Sequence, residues 1–278
     1  MDRAWVQKVI SVLSVARRSD LTFYDAIEAR GANLPSKLYK LRGCTDFSFE
    51  NLANATIHLS PASGFNDPYD TAFCADPGFL SRNSFVFGAP DNNNADDRLQ
   101  QGSAPPNSLS VLVDELRDSY KICSFTERLD SILMWSHYAD NHRGFAMEYD
   151  FTTCHRNDYP SLCLWPVAYT DCLLDITEVL AAAMNDKDDV NHAFTMAASL
   201  CKARDWTYEQ EWRIVYPDDR TRRCMALPAP LKAVHLGARI SADNASRIRD
   251  ICAASGIPVH TMALSRQEYR MESHLPAG

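Results

Sequence analysis

Hydrophobic and polar positions recur in two periods along the chain, and the switches between them mark its elements. Trp5, Val6, Val9, Ile10, Leu13 and Ala16 recur at helical spacing, with Val12 and Val15 widening the stripe. Gln7, Lys8, Ser11 and Ser14 interrupt the run, so it reads as an amphipathic helix and not as a signal-peptide core or a membrane span. Residues 1–36 together read as a helical N-terminal extension. Leu38-Tyr39-Lys40-Leu41-Arg42 then alternates like a half-buried strand. A short helix is expected from Ser48, with Ser48 as its cap, and a strand at Thr56-Ile57-His58-Leu59-Ser60. Phe65-Asn66-Asp67-Pro68-Tyr69-Asp70 is a turn written by Asn-Asp-Pro.

Residues 76–108 differ in kind. Pro77, Gly78, Gly88, Pro90, the run Asn92-Asn93-Asn94 and Pro105-Pro106 predict a loop-rich insertion. A helix is expected over 109–119, a strand at Tyr120–Phe125, a helix at Ile132–Ala139, and strands at Gly144–Tyr149 and Pro166–Tyr169. Helices are expected at 176–185, 190–204 and 242–254, and strands at Glu211–Tyr216, Lys232–Leu236 and 258–264. Strands and helices mix without strict βαβ alternation. That predicts a single α+β domain over 37–278, with a mainly antiparallel sheet and flanking helices. No G-x-G-x-x-G, G-K-[ST] or G-x-S-x-G fingerprint is present.

Charge and cysteine content narrow the setting. The 278 residues carry a net charge of −8, which disfavours broad electrostatic binding of nucleic acid. Arg220, Arg222 and Arg223 form the one dense basic cluster and read as a solvated turn. Nine cysteines make no C-x-x-C pair, and the spacing of Cys154, Cys163 and Cys172 fits no zinc pattern. Reduced thiols, no metal, no membrane and a cytoplasmic location are therefore expected.

Three clusters carry candidate chemistry. In the first, the Asn-Asp-Pro turn projects Asn66 and Asp67, short acceptors that can hold a ligand or simply satisfy turn backbone. The second joins Ser124 to the helix Met134-Trp135-Ser136-His137-Tyr138-Ala139. There Trp135 and Tyr138 share a face that could be core or a wall for a planar ring. The third is Glu209-Gln210-Glu211-Trp212-Arg213. As a strand it puts Glu209, Glu211 and Arg213 on one face, either as a surface ladder or as paired carboxylates for proton transfer.

In this order the clusters resemble an uncharacterised bacterial domain-of-unknown-function family. Its pattern is a Leu-Tyr-Lys-x-Arg strand (here Leu38 to Arg42), an Asn-Asp-Pro-aromatic-Asp turn (Asn66 to Asp70), a Trp-Ser-His-Tyr-Ala helix (Trp135 to Ala139) and a Glu-x-Glu-Trp-Arg strand (Glu209 to Arg213). The resemblance runs from about residue 38 to about residue 270 and implies a defence or toxin setting. A looser resemblance is to ADP-ribosyltransferases, which carry an Arg on an early strand, a Ser-containing strand and a later Glu-x-Glu. It implies an ADP-ribosyltransferase-like fold with NAD as substrate. Arg42, with Asn66, Asp67, Trp135 and Tyr138, would bind the nucleotide. Ser124 would hold the catalytic carboxylate, Glu211 would stabilise the oxocarbenium ion, and Glu209, with His137 nearby, would serve the acceptor macromolecule.

Two other classes compete. Asp67, Asp70, Glu209 and Glu211, with Lys202 or Lys121, could form a Mg²⁺-dependent nuclease site. The same clusters could also be the packing of a non-catalytic binding or sensor module.

Overall fold

The computed structural model describes residues 4–15, 20–84, 120–154, 163–185, 193–217, 224–227 and 229–275. The helix expected at 109–119, the basic cluster at 220–223 and residues 85–108 of the expected insertion lie outside the described residues.

In chain order the helices are α1 (Ala4–Leu13), α2 (Asp20–Ala32), α3 (Asp46–Ala53), α4 (Pro77–Arg82), α5 (Ile132–Tyr138), α6 (Thr177–Asn185), α7 (Ala193–Ala198) and α8 (Ala242–Ala254). The strands are β1 (Leu38–Arg42), β2 (Thr56–His58), β3 (Ser60–Pro61), β4 (Phe73–Cys74), β5 (Tyr120–Thr126), β6 (Phe145–Tyr149), β7 (Leu164–Pro166) and β8 (Ala168–Thr170). They continue with β9 (Leu174–Asp175), β10 (Cys201–Ala203), β11 (Glu211–Pro217), β12 (Cys224–Ala226), β13 (Leu231–Leu236), β14 (Val259–Leu264) and β15 (Met271–His274). The class is α+β with a mainly antiparallel sheet.

The chain divides into two units. One comprises Met1–Ala29, Pro61–Lys121 and Ala168–Arg204; the other comprises Arg30–Ser60, Ile122–Val167 and Asp205–Gly278. In the first, the stripe Val6, Val9, Ile10 and Leu13 of α1 is buried, and α1 packs on α7 and β8. Phe73, Leu80, Ile176, Val179, Leu180 and Phe194 form a core. The start of the expected insertion is ordered by this core: Asp76 caps α4 by accepting from Phe79 N, and Leu80 is buried.

The helix expected over 190–204 is instead α7, a turn and β10. The Ser199 hydroxyl bonds back to the Thr195 carbonyl, and Cys201, Lys202 and Ala203 pair in parallel with Ala168, Tyr169 and Thr170. Lys202 is buried in that strand, and its ammonium lies 3.5 Å from the buried Asp70 carboxylate. A buried cation of this kind requires such a partner.

The second unit is built on the sheet β15-β14-β13-β6-β1-β5-β11-β7. Phe145 to Tyr149 of β6 are all buried, as expected of a strand flanked on both sides. β13 and β14 are parallel and joined through α8, because parallel neighbours need a crossover. α8 is capped by Ser241 and buries Ala245, Ile248 and Cys252 at helical spacing. α3 begins one turn earlier than the sequence suggests. Thr45 is its cap, accepting from Ser48 N, and Ser48 lies inside the helix. α5 is capped by Ser131, and its Met134 and Trp135 pack with Tyr39, Leu41, Ala146, Met262 and Met271.

Between α5 and β6 the backbone turns back sharply. Asp140, Asn141 and His142 have φ of 47°, 52° and 69°, the left-handed region that non-glycine residues enter only when the surroundings hold them there. Gly144 closes this turn with its N–H on the Ala139 carbonyl. A Cβ at Gly144 would sit 2.0 Å from the Arg42 carbonyl oxygen, a backbone atom that cannot swing aside. Gly144→Ala should therefore lower the unfolding free energy by about 3 kcal/mol, the upper end of ordinary overpacking costs. Gly64→Ala, with nothing within 4 Å of the added carbon, should stay within about 0.5 kcal/mol. Urea midpoints of both variants check the contrast.

Candidate functional site

Glu209, Glu211 and Arg213 do not continue one strand face as the sequence suggests. Glu209 ends a 3-10 turn, Arg204–Glu209, and Gln210 has a φ of 44°. That left-handed residue breaks the alternation and re-aims the chain before β11. β5 holds the junction: the Thr126 hydroxyl donates to the Glu209 carbonyl and Glu127 N to the Gln210 carbonyl. Glu209 consequently turns toward α5, where it accepts the Tyr138 hydroxyl at 2.5 Å. Glu211 lies on β11 with Arg213.

The two carboxylates differ in what surrounds them. Arg213 is 0 % exposed and Glu211 4 %. The guanidinium holds both carboxylate oxygens, Nε to Oε1 at 2.8 Å and Nη2 to Oε2 at 2.9 Å. Glu211, expected to meet a ligand, is thus a counter-ion of a buried arginine. Glu209 is 2 % exposed, and one of its bonds comes from the Tyr138 phenol, a side chain that still reaches solvent. Burial, together with Glu209, drives the Tyr138 pKa far above its ordinary value, so the phenol stays a donor.

An aromatic row leads away from this pair. His137 is exposed, 6.2 Å from Tyr138 and 6.2 Å from Tyr208, and Trp206 is 6.0 Å from Tyr208 by ring centroids. Trp135, expected to share this wall, is 0 % exposed and donates its Nε1–H to the Leu129 carbonyl, so it is core. Trp212 is core as well, bonded to Glu127 through its indole nitrogen at 2.7 Å.

The other expected residues have their own surroundings. Asn66 and Asp67 lie in the first unit, where Asp67 accepts from Tyr69 N and so serves its own turn. Asp70, named with them for a metal, is held by Lys202. Arg42 and Ser124 are on adjacent strands, but the pairing of Tyr39 with Thr126 and strand alternation put them on opposite faces. Arg42 shares its face with Lys40, whose ammonium bonds the Ser124 carbonyl at 2.8 Å. Burial lowers the Lys40 pKa, Arg42 adds to the fall, and Cys123 and Glu211 oppose it. The Arg42 Nε is buried without a hydrogen-bond partner. Among the described residues no three His, Cys, Asp or Glu side chains are grouped to hold a metal ion, and no helix is long and apolar enough to cross a membrane.

A second polar group was not legible in the sequence. His235 of β13 and His260 of β14 stand side by side, stacked at 5.0 Å, because the parallel register pairs them. His235 Nε2 is 3.0 Å from Glu148 Oε2, its Nδ1 is 2.9 Å from Ser273 Oγ, and Lys37 Nζ is 2.9 Å from Glu148 Oε1. The only signal was one histidine in each of two short β-rich runs, 231–236 and 259–264. The register that joins them is a tertiary fact.

The charges of this group predict an acid-sensitive fold. Burial alone would raise Glu148, but hydrogen bonds from Lys37 and His235 outweigh it and hold its pKa below the ordinary 4.5. Burial lowers His235 below 6.5, against the pull of Glu148 and aided by His260 and Lys37. Both groups bind protons more readily in the unfolded chain, so each contributes stability above its unfolded value that is lost as pH falls. Thermal midpoints should decline from pH 7 to pH 4, beginning near 6.5, and His235→Gln should flatten the upper part of the decline. An unchanged profile in that variant would show that another group governs it.

Residues 134–214 match the family model described as Protein of unknown function (DUF2971), a span that includes Tyr138, Glu148, Glu209, Glu211 and Arg213. No curated protein and no solved structure matches the chain.

Proposed function

We propose that the second unit binds a nucleotide against the His137–Tyr208–Trp206 row and cleaves the nicotinamide–ribose bond of NAD beside Glu209. This is an ADP-ribosyltransferase-like reaction that passes ADP-ribose to an acceptor macromolecule or to water. The observation that carries this reading is the buried Glu209 carboxylate, held by Tyr138 at the inner end of a partly exposed aromatic row. Aromatic faces in a row suit a planar base or nicotinamide ring. Cleavage of an N-glycosidic bond develops positive charge on the ribose, and a fixed carboxylate in a water-poor site lowers that barrier. Glu209 takes the part that the resemblance gave to Glu211, and His137 is placed to contact the ligand or its acceptor. Arg42, Ser124, Asn66 and Asp67 are not needed for it. NAD loss would suit a toxin or defence role in a reducing cytoplasm, with which nine free cysteines are compatible.

Nicotinamide release from NAD is the test. Glu209→Gln keeps an acceptor for Tyr138 but removes the charge, so turnover should fall on the order of 10²–10³-fold in a chain that still folds. Tyr208→Ala should raise KM more than it lowers kcat. Glu211→Gln should instead weaken the fold by about 3–5 kcal/mol, because it removes an anionic, two-bond partner of the buried Arg213. Full turnover in Glu209→Gln, or no nicotinamide release by the wild-type chain, would overturn the assignment.

A further inference from the structure

Within the second unit an open pocket of about 610 Å³ lies against β13, β14 and β15, lined among others by Lys37, Glu148, Lys232, His235, His260 and Ser273. None of these residues belongs to the Glu209 site. We propose that Ser273 is the nucleophile of a second catalytic site, activated through His235 and Glu148, which cleaves small esters carrying a negative charge.

The geometry has the order that nucleophilic catalysis by serine requires: hydroxyl, imidazole, carboxylate. Ser273 Oγ lies 2.9 Å from His235 Nδ1, and His235 Nε2 lies 3.0 Å from Glu148 Oε2. An ionised Glu148 can only accept, so it selects the tautomer with hydrogen on Nε2. That leaves Nδ1 as the acceptor for the serine proton. The ring is locked from two sides, by His260 stacked at 5.0 Å and 25° and by Tyr39 edge-on at 5.9 Å. Glu148 is fixed through its other oxygen by Lys37 at 2.9 Å.

Exposure is graded in the sense that catalysis needs. His235 and Glu148 are buried, while Ser273 is exposed on β15, which has only β14 as a neighbour in the sheet path. A reagent can therefore reach the hydroxyl while the base behind it stays shielded from water. Burial holds the imidazole in its neutral, proton-accepting form at neutral pH. Lys37 and Lys232 at the pocket supply positive charge. A carboxylate or phosphate on the substrate would meet that charge, which sets the substrate class.

The step balances without a cofactor. Ser273 Oγ bonds to the acyl carbon as its proton passes to His235 Nδ1. The ester C–O bond breaks, and the leaving alkoxide takes that proton. Water, deprotonated by the same nitrogen, then attacks the acyl-serine, and its proton returns to Ser273 Oγ as the acid is released.

The test uses the whole chain with a fluorophosphonate probe, which forms a P–O bond to an activated serine and releases fluoride. Peptide mass spectrometry should place the label on Ser273, and Ser273→Ala, a change at an exposed side chain, should abolish it with the unfolding midpoint unchanged. His235→Gln should slow labelling by about 10²-fold, the usual worth of a positioned base. The same variants should lose hydrolysis of mono-4-nitrophenyl succinate, and the wild-type chain should prefer that anionic ester to 4-nitrophenyl acetate. Should His235→Gln fail to fold, the wild-type labelling rate against pH decides: it should fall with one ionisation below pH 6.5, with Lys37, Tyr39, Glu148, Lys232, His260 and His274 as the neighbours that set it. Absence of label on Ser273, an unchanged rate in a folded His235→Gln, or a rate that follows hydroxide alone would overturn the proposal.

Discussion

The pairing of Arg213 with Glu211 is the constraint on which the Glu209 site depends. A guanidinium with no exposed surface is tolerable only with its charge matched, and Glu211 meets it with two parallel bonds. The pair spans neighbouring same-face positions of β11, so it fixes that strand's orientation from its first residue. Everything before Glu211 must then adjust. The adjustment falls on Gln210, whose left-handed backbone swings Glu209 away from the strand and onto Tyr138. One buried ion pair thus separates two carboxylates that are two residues apart into a structural counter-ion and a candidate reactive group.

Much of the sheet was legible because alternation survives where one face of a strand is buried and the other is not. β1, β5, β6, β11, β13 and β14 lie where the sequence puts them, within a residue or two at each end. The helix α8 was equally legible, since a serine cap precedes an apolar stripe at helical spacing. The short elements were not. β4, β9 and β15 carry two to four residues each, too few to show a period. α7 was overextended because Leu200, Cys201 and Ala203 sit among polar residues in a spacing that helix and strand share, and the pairing with β8 decides between them.

The candidate residues were legible as types and not as arrangements. The sequence identified Glu209, Glu211, Tyr138 and His137, but two facts outside any local pattern assign their roles. One is the φ of Gln210, a residue with no glycine to announce the turn. The other is the burial of Trp135, which a helical face common to Trp135 and Tyr138 leaves open between core and ledge. Ser124 and Arg42 show the limit more sharply. Each is on its expected strand, yet the register of β1 against β5 places them on opposite faces, and a register shift of one residue would reverse that.

The histidine pocket follows from topology of a different kind. Parallel strands place equivalent positions side by side, so one histidine on β13 and one on β14 become a stacked pair without any sequence signature. β6, antiparallel to β13, brings Glu148 to the same group, and β15, antiparallel to β14, brings Ser273. Four strands each contribute one polar side chain, and Glu148 and His235 are flanked by apolar or aromatic residues. Isolated in its own strand, Glu148 or His235 would be a poorly satisfied buried polar residue. Assembled, each satisfies the next, and the chain of bonds runs from a buried carboxylate to an exposed hydroxyl. A sheet that needed these groups only for packing would be equally served by apolar residues at Glu148 and His235, without the cost of desolvating a charge. That cost is offset only partly by Lys37, which itself remains largely in solvent. At this pocket, as at Glu209, ionisable groups are held in low-dielectric surroundings, with one end of each network open to solvent.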